Sequence, residues 1–424
     1  MSAYSCQPDR GSEPGLGWNI ACEVARYHEV WVLTRRNNAR AIDERLRRDP
    51  CPSLRCVYID LPRWALFWKR GQLSTQVYYY VWQFLVYFAA RRLQRQERFD
   101  VVHHVTFARY WSPSLLALLP VPFVWGPLGG GESAPRSFVR EFPAKARVFE
   151  AGRDAARAIA RCDPLLRLTA RRAAVAFAST PDTCRRVEAL GVRNIRLRSI
   201  VAIGEDDLAA LQTDRAAQPA TFRFVSIGRL MYWKGVHLTI RAFAAARLDN
   251  AELWIVGDGP DRTSFEQLAR DLDVDASVRF LGALPHGSTL DILRDCHVLL
   301  HPSLHDQAPT VCIEAMAAGL PVICLDIGGP AVQVNDSCGI RVAATDPAQT
   351  VSTIATAMSS LRTDHERRQR MSRAAVERVA DAFVWPRTVA AIRDEYDGIA
   401  TSVAAAHVSR NAEPEDVACK TSDD

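Results

Sequence analysis

Short unbroken apolar runs recur along the chain, separated by longer stretches in which apolar positions return every three or four residues. In the first half the runs read "EVWVLT" (29–34), "DVVHHV" (100–105), "PFVWG" (122–126) and "AVAFAST" (174–180). Runs of this kind suit strands buried on both faces, as in parallel sheets. Segments 18–26 and 165–172 between them carry helical spacing. After residue 217 the series restarts with "FRFVSIG" (222–228), "AELWIVG" (251–257), "SVRFLG" (277–282), "HVLLHPS" (297–303) and "LPVICLD" (320–326). Most of these runs are followed by a helical stretch. Two successive strand–helix series predict two doubly wound parallel sheets, an α/β fold of two Rossmann-like domains facing across a cleft.

The predicted boundaries follow from composition. Residues 1–201 form the first domain and 222–385 the second. The polar, Ala-rich stretch 202–221 reads as their linker. Residues 386–408 read as a C-terminal helix packing back on the first domain, and 409–424 as a disordered tail. A chain of 424 residues with 48% hydrophobic and 24% charged content agrees with two soluble domains. Its 11 cysteines are scattered without a CxxC pair, which fits a reducing cytoplasm and neither a disulfide frame nor a zinc site. The opening "MSAYSCQPDRGSEPG" lacks the basic-then-apolar pattern of a secretory leader. No apolar run reaches the roughly 18 residues of a membrane span.

Charge changes the picture more. Residues 1–217 hold 33 Lys+Arg and 21 Asp+Glu, a balance of +12, and the remainder holds 20 and 27, a balance of −7. A basic half beside an acidic half predicts that one half meets an anionic partner: nucleic acid, anionic lipid or a phosphate-bearing substrate.

Ligands of open α/β sheets bind beyond the carboxyl ends of the strands, so the chemistry is expected in the loops that follow them. "SIGRLMYWKG" (226–235) is such a loop. Gly228 turns the chain, and Arg229 and Lys234 bring two cations suited to a diphosphate. "VGDGP" (256–260) follows the next run, and Gly257 and Gly259 would let backbone approach a ligand closely. The loop is not GxGxxG, so no dinucleotide fingerprint is present. In "HPSLHDQAPTVCIEAMAAGLPV" (301–322), Pro309 suits a helix start and Gly319 with Pro321 a helix end. Free amides and a positive dipole at that start favour phosphate. Asp306 lies in the loop before the helix and Glu314 one turn inside, so the two acids can grip different parts of one extended ligand. "DLDVD" (271–275) has D-x-D spacing but reads as a helix end and loop, so no metal is expected there.

"GRLMYWKG", "VGDGP", "FLG" and D-x7-E-A-M-A-A-G-L-P-V stand in the order and spacing of retaining glycosyltransferases of family 4, and the chain resembles that family over roughly residues 4–400. The opening "PDRGSEPGLGW" resembles the start of its first domain. The resemblance implies a GT-B fold and sugar transfer from a nucleotide sugar, without a metal or other cofactor. It implies that Arg229 and Lys234 hold the diphosphate, Glu314 the ribose and Asp306 the sugar hydroxyls. Amides around Pro309, Thr310 and Val311 would meet sugar or phosphate, and the loop at Gly282 would edge the base. Gly11, Ser12 and Gly15 would belong to an acceptor or phosphate loop, as would Gly129 and Gly130 of "GPLGGGE" (126–132).

Three departures stand out. Asp306 replaces the family's usual first Glu. "GPLGGGE" stands where a His near the transferred sugar is usual, and His103 or His104 could partly substitute. The chain opens where a first strand should already be under way. Residues 63–95, "RWALFWKRGQLSTQVYYYVWQFLVYFAARRLQR", combine aromatic and aliphatic residues with flanking cations, which suits a lipid interface, the alternative being a core helix covered by the first domain. A cytoplasmic enzyme peripheral on an anionic membrane is therefore expected, acting on a lipid-linked or saccharide acceptor and not on nucleic acid. The alternatives are a GT-B sugar-nucleotide epimerase and a non-catalytic assembly partner.

Overall fold

The computed structural model describes residues 1–66, 72–107, 109–212 and 221–411. The first sheet comprises β1 (Ser2–Ala3), β2 (Val30–Thr34), β3 (Leu54–Tyr58), β4 (Val102–His104), β5 (Phe123–Leu128), β6 (Ala173–Ala178) and β7 (Ile195–Leu197), in the order β3-β2-β1-β4-β5-β6-β7. The second comprises β8 (Phe222–Ile227), β9 (Ala251–Val256), β10 (Val278–Gly282), β11 (Val298–His301), β12 (Val322–Leu325) and β13 (Gly339–Val342), in the order β10-β9-β8-β11-β12-β13. All recorded pairings within the sheets are parallel. Strand order reverses beside the first strand of each sheet, so each has a crevice there: between β1 and β4, and between β8 and β11.

Apolar clusters line the faces of each sheet. Val32, Val124 and Val175 turn toward helix Ser12–Ala25 and the C-terminal helix Trp385–Asn411, which adds Val389, Ile392 and Tyr396 to that core. Leu33, Phe123 and Trp125 pack with Tyr78, Tyr79, Trp82, Val86 and Ala90 of helix Gln72–Glu97. The aromatic stretch is thus half core. Its other face leaves Phe84 49% and Phe88 62% exposed, with Trp64 79% exposed just before it. Lys69 and Arg70 of that stretch lie outside the described residues. No helix among the described residues is long and apolar enough to cross a membrane. The start of the stretch read as a linker forms helix Glu205–Gln212, with Leu211 buried in the second domain. The segment read as a tail lies outside the described residues from 412 onward.

One segment departs from a two-domain layout. After β5 the chain leaves the first sheet and crosses to the second domain. Ala134, Phe138 and Phe142 are buried there beside Leu230, Val236 and Phe265. Ser137 Oγ donates to the Thr345 carbonyl at 3.0 Å, and Arg241 Nη1 to Glu141 Oε2 at 2.8 Å. Helix Ala144–Ala160 then leads back. At its far end Arg157 Nη2 donates to the carbonyls of Gly130 and Glu132 in the first domain. Residues 134–157 therefore form a strap fastened to both domains.

Candidate active site

The loops flanking the β8/β11 crevice are laced together by backbone. Gly235, after the short turn Tyr232–Lys234, has φ +76°, and a Cβ there would lie 2.0 Å from the Pro302 carbonyl oxygen. Only glycine allows that approach. Leu304 N–H donates to the Trp233 carbonyl at 2.8 Å. The lacing brings Lys234 Nζ to Asp306 Oδ2 at 2.6 Å, and His301 Nε2 lies 3.1 Å from the same oxygen. The Lys234 and Asp306 side chains are 25% and 15% exposed. Burial alone would raise the Asp306 carboxyl, but the Lys234 ammonium and the His301 ring hold it well below the usual carboxylate range. Behind it, Gly329 N–H donates to the Asp306 carbonyl at 2.7 Å.

Helix Thr310–Ala317 starts from Pro309, which supplies no side-chain cap, so its first amides have no such partner. Pro309 is buried, Val311 half-buried and Thr310 exposed at this start. Glu314, half-buried, faces a different environment from Asp306. Burial raises its carboxyl and Asp207 adds to this, against His286 and a hydrogen bond with Thr310. His286 Nε2 itself lies 3.1 Å from Asp207 Oδ2. The two acids are therefore held in opposite electrostatic settings on one side of the cleft.

Arg229 is exposed and has no recorded ion pair among the described residues. Gly228, Gly257 and Gly282 all have positive φ. A Cβ on Gly257 would fall 2.0 Å from the Gly228 carbonyl oxygen, and one on Gly259 2.3 Å from that of Leu230. Gly257 N–H donates to the Gly282 carbonyl at 2.7 Å. These glycines stack three post-strand loops into one floor beside Arg229.

The first domain faces this floor with its glycine-rich loop. A Cβ on Gly129 would lie 1.7 Å from the Gln307 side chain, so this loop abuts the residue after Asp306 across the cleft. The loop is held firmly. Gly130 N–H donates to Glu132 Oε2 at 2.9 Å, and Thr180 and Thr183 hydroxyls donate to Glu132 Oε1 at 2.5 and 2.8 Å. Arg186 Nε donates to the Gly131 carbonyl at 2.9 Å. Gly11, Ser12 and Gly15 lie at the corresponding crevice of the first sheet, after β1, with Ser12 at φ +61°. His103 is buried, with Tyr396 OH 2.5 Å from Nδ1 and the Gly126 carbonyl 2.6 Å from Nε2. His104 is buried beside Tyr79. Burial lowers both rings, to about 3 and about 4, which keeps them neutral. His301, His286 and Asp207 carried no signal in the sequence: each sits in an ordinary strand end or helix and meets the acids only through the fold.

Known proteins resemble the chain over both domains. The model of glycosyl transferases group 1 matches residues 212–378, and that of the glycosyl transferase 4-like domain matches residues 10–201. The D-inositol 3-phosphate glycosyltransferase of Corynebacterium kroppenstedtii is 33% identical over 181 residues, 40% of this chain and 39% of that protein. The lipopolysaccharide core biosynthesis glycosyltransferase LpsD of Rhizobium meliloti is 30% identical over 220 residues, 51% of this chain and 62% of that protein. Matches to the first such relatives thus span about two fifths of their length. Among solved structures, Anabaena Alr3699/HepE in complex with UDP superposes with a TM-score of 0.58 at 16% identity, covering 92% of this chain and 98% of that one. With one model on each domain and the GT-B architecture throughout, the chain belongs to the family 4-like glycosyltransferases.

Proposed function

We propose that the protein moves a sugar from a nucleotide-sugar donor to an acceptor hydroxyl, with retention of configuration and without a metal. The observation that carries this reading is the Lys234–Asp306–His301 contact beside the open start of helix Thr310–Ala317. Lys234 keeps two further N–H donors for phosphate oxygens, and exposed Arg229 can bind a second pair of oxygens. Asp306, held ionised, accepts hydrogen bonds from sugar hydroxyls. Glu314 takes the ribose hydroxyls eight positions on. Amides of 309–311 meet sugar or phosphate, and the loops at Gly228, Gly257, Gly259 and Gly282 form the nucleotide floor.

In the reaction the bond from the sugar's anomeric carbon to the diphosphate breaks and a bond to the acceptor oxygen forms. Arg229, Lys234 and the helix dipole offset charge growing on the leaving diphosphate. The leaving phosphate oxygen takes the acceptor proton. The loop at Gly129 and Gly130, with that at Gly11, Ser12 and Gly15, forms the acceptor side. A lipid-linked or saccharide acceptor fits the inositol phosphate and lipopolysaccharide-core names of the relatives. The basic first domain, with exposed Trp64, Phe84 and Phe88 near Arg91, Arg92 and Arg95, fits peripheral contact with an anionic membrane.

The test is thermal unfolding with UDP and a panel of nucleotide sugars. A ligand at 100 times its Kd adds about 2.7 kcal/mol, or roughly 5–10 °C in Tm for a domain of this size. Glu314→Gln should weaken UDP and UDP-sugar alike. Asp306→Asn should spare UDP and impair transfer. If no nucleoside diphosphate raises Tm, or if both variants weaken UDP equally, the two-ended grip is wrong.

A further inference from the structure

The strap crosses the cleft beside the two charged residues of the candidate site. Trp233 precedes Lys234 and His305 precedes Asp306 in sequence, and their rings stack at 5.4 Å with 20° between planes. Phe149 of helix Ala144–Ala160 stacks on the same Trp233 at 5.7 Å and 11°. One residue on, Glu150 Oε1 lies 3.0 Å from His305 Nε2. Arg153 Nη1 lies 3.1 Å from His305 Nδ1 and 3.3 Å from Nε2. Arg153 Nη2 also reaches Glu150 Oε2 at 2.7 Å and the Glu132 carbonyl of the glycine-rich loop at 3.1 Å. The His305 side chain is 10% exposed.

We propose that His305 is a positioning residue: as the neutral imidazole it fastens the strap helix to the loop carrying Asp306, and so couples the two faces of the cleft. The protonation state follows from its partners. A carboxylate only accepts and a guanidinium only donates. Glu150 at Nε2 therefore takes the ring's one proton, and Nδ1 is left as the acceptor nearer to Arg153. A second proton would sit on Nδ1 and face the guanidinium, donor against donor. The other charges around this cluster are Asp306 on the ring's own loop, Asp154 and Arg157 further along the strap helix, and Glu132 of the glycine-rich loop. Burial, aided by the Arg153 charge, lowers the ring's affinity for a proton, against Glu150 and Asp306. A base whose folded value is lowered favours the fastened state above its ordinary value near 6.5, and that contribution is lost as pH falls below it.

The consequence for sugar transfer rests on the donor-site reading of Asp306, but the fastening does not. Hydrogen exchange by mass spectrometry, at pH 7.5 and 5.5 and corrected for intrinsic rates, tests it without any nucleotide. Failure of nucleotide binding would therefore leave it intact, and the reverse holds too. In the wild type, peptides covering 144–153 and 302–309 should lose roughly tenfold in protection at pH 5.5, the worth of one charge-assisted hydrogen bond. Strands β8 and β11 should stay protected. His305→Gln should keep protection at both pH values, because its amide donates to Glu150 and its carbonyl accepts from Arg153. His305→Phe keeps the ring stack and should lose protection at both. Wild-type protection that does not change with pH overturns the proposal. So does a His305→Phe variant protected like wild type, or an acid-induced loss spread equally over both sheets.

Discussion

Replacing Lys234 by Met tests the electrostatics of the candidate site with no assumption about its ligand. The methionine keeps an unbranched apolar side chain out to Cε and removes the ammonium. At 2.6 Å, with an effective dielectric constant near 20, the attraction to Asp306 is about 6 kcal/mol. Desolvation of both groups cancels much of it, and the 25% and 15% residual exposure screens more. Breaking one side of such a pair should cost about 2–3 kcal/mol, below the ~3–5 of a fully buried pair. For a domain of this size that is roughly 5–10 °C in Tm. The pH dependence identifies the cause. In the wild type the Asp306 value is lowered on folding, so the pair stabilises above the ordinary Asp value near 4 and this is lost as pH falls further. Without the ammonium, burial is the larger influence, opposed only by His301, and the folded value should rise above the ordinary one. The variant's deficit should then already be present near pH 4, where the wild-type pair is still ionised, and should grow further toward pH 7 as the uncompensated buried carboxylate costs more. Thermal scans of wild type, Lys234→Met and Lys234→Met with Asp306→Asn, at pH 4.5 and 7.5, measure this. The double variant should recover at least half of the loss at pH 7.5. A double variant no more stable than the single one, or a deficit equal at both pH values, would refute the account.

Arg229→Ala should leave folding stability within about 0.5 kcal/mol, because the side chain is exposed without a recorded partner among the described residues. It should weaken UDP binding tenfold or more, and calorimetric titration with unchanged affinity would remove Arg229 from the diphosphate clamp. Gly235→Ala places a methyl 2.0 Å from the Pro302 carbonyl oxygen at a positive φ, so a loss of about 3 kcal/mol or more is expected. A Tm within 2 °C of wild type would show that the two loops are not laced as described. Vesicles with anionic lipid should sediment the protein at low salt and release it at high salt. Phe84→Ser with Phe88→Ser should weaken that binding roughly tenfold, and failure of the wild type to sediment would leave these rings without a lipid role.

The interior of both sheets was legible because β2, β4, β5, β6 and the central strands of the second sheet are unbroken apolar runs. The strands that left no such trace are mainly edges. β3, β7 and β13 are edge strands of three to five residues, each with an arginine, Arg55, Arg196 and Arg341, so little apolar run is left, whereas edge strand β10 stayed legible because Phe280 and Leu281 follow its Arg279. β1 has only Ser2 and Ala3, too few to show a pattern. The loops carrying Lys234 and Asp306 could be read because both follow apolar strands and hold charge beside glycine or proline. Their contact could not, since it depends on β8 and β11 being neighbours with the partners 72 positions apart. The strap was hidden for a related reason. Phe138 and Phe142 sit within the first domain's stretch of sequence and look like that domain's own core, whereas their partners are Leu230, Val236 and Phe265.

The strap also sets an order of events on the ribosome. The last strand of the first sheet, β7, ends at Leu197, but the core that Phe138 and Phe142 join is built from residues Phe222 to Met371. At about 5–20 residues per second, a nascent chain would carry those two rings bare for roughly ten seconds or more after its first sheet has been made. Each ring is worth about 1.5–3 kcal/mol once covered, enough to attract a chaperone or another nascent chain in the interval. A gene fragment ending near residue 201 would hold the same unfinished surface permanently. Exchanging halves between relatives would mismatch it unless residues 134–157 travel with the second half.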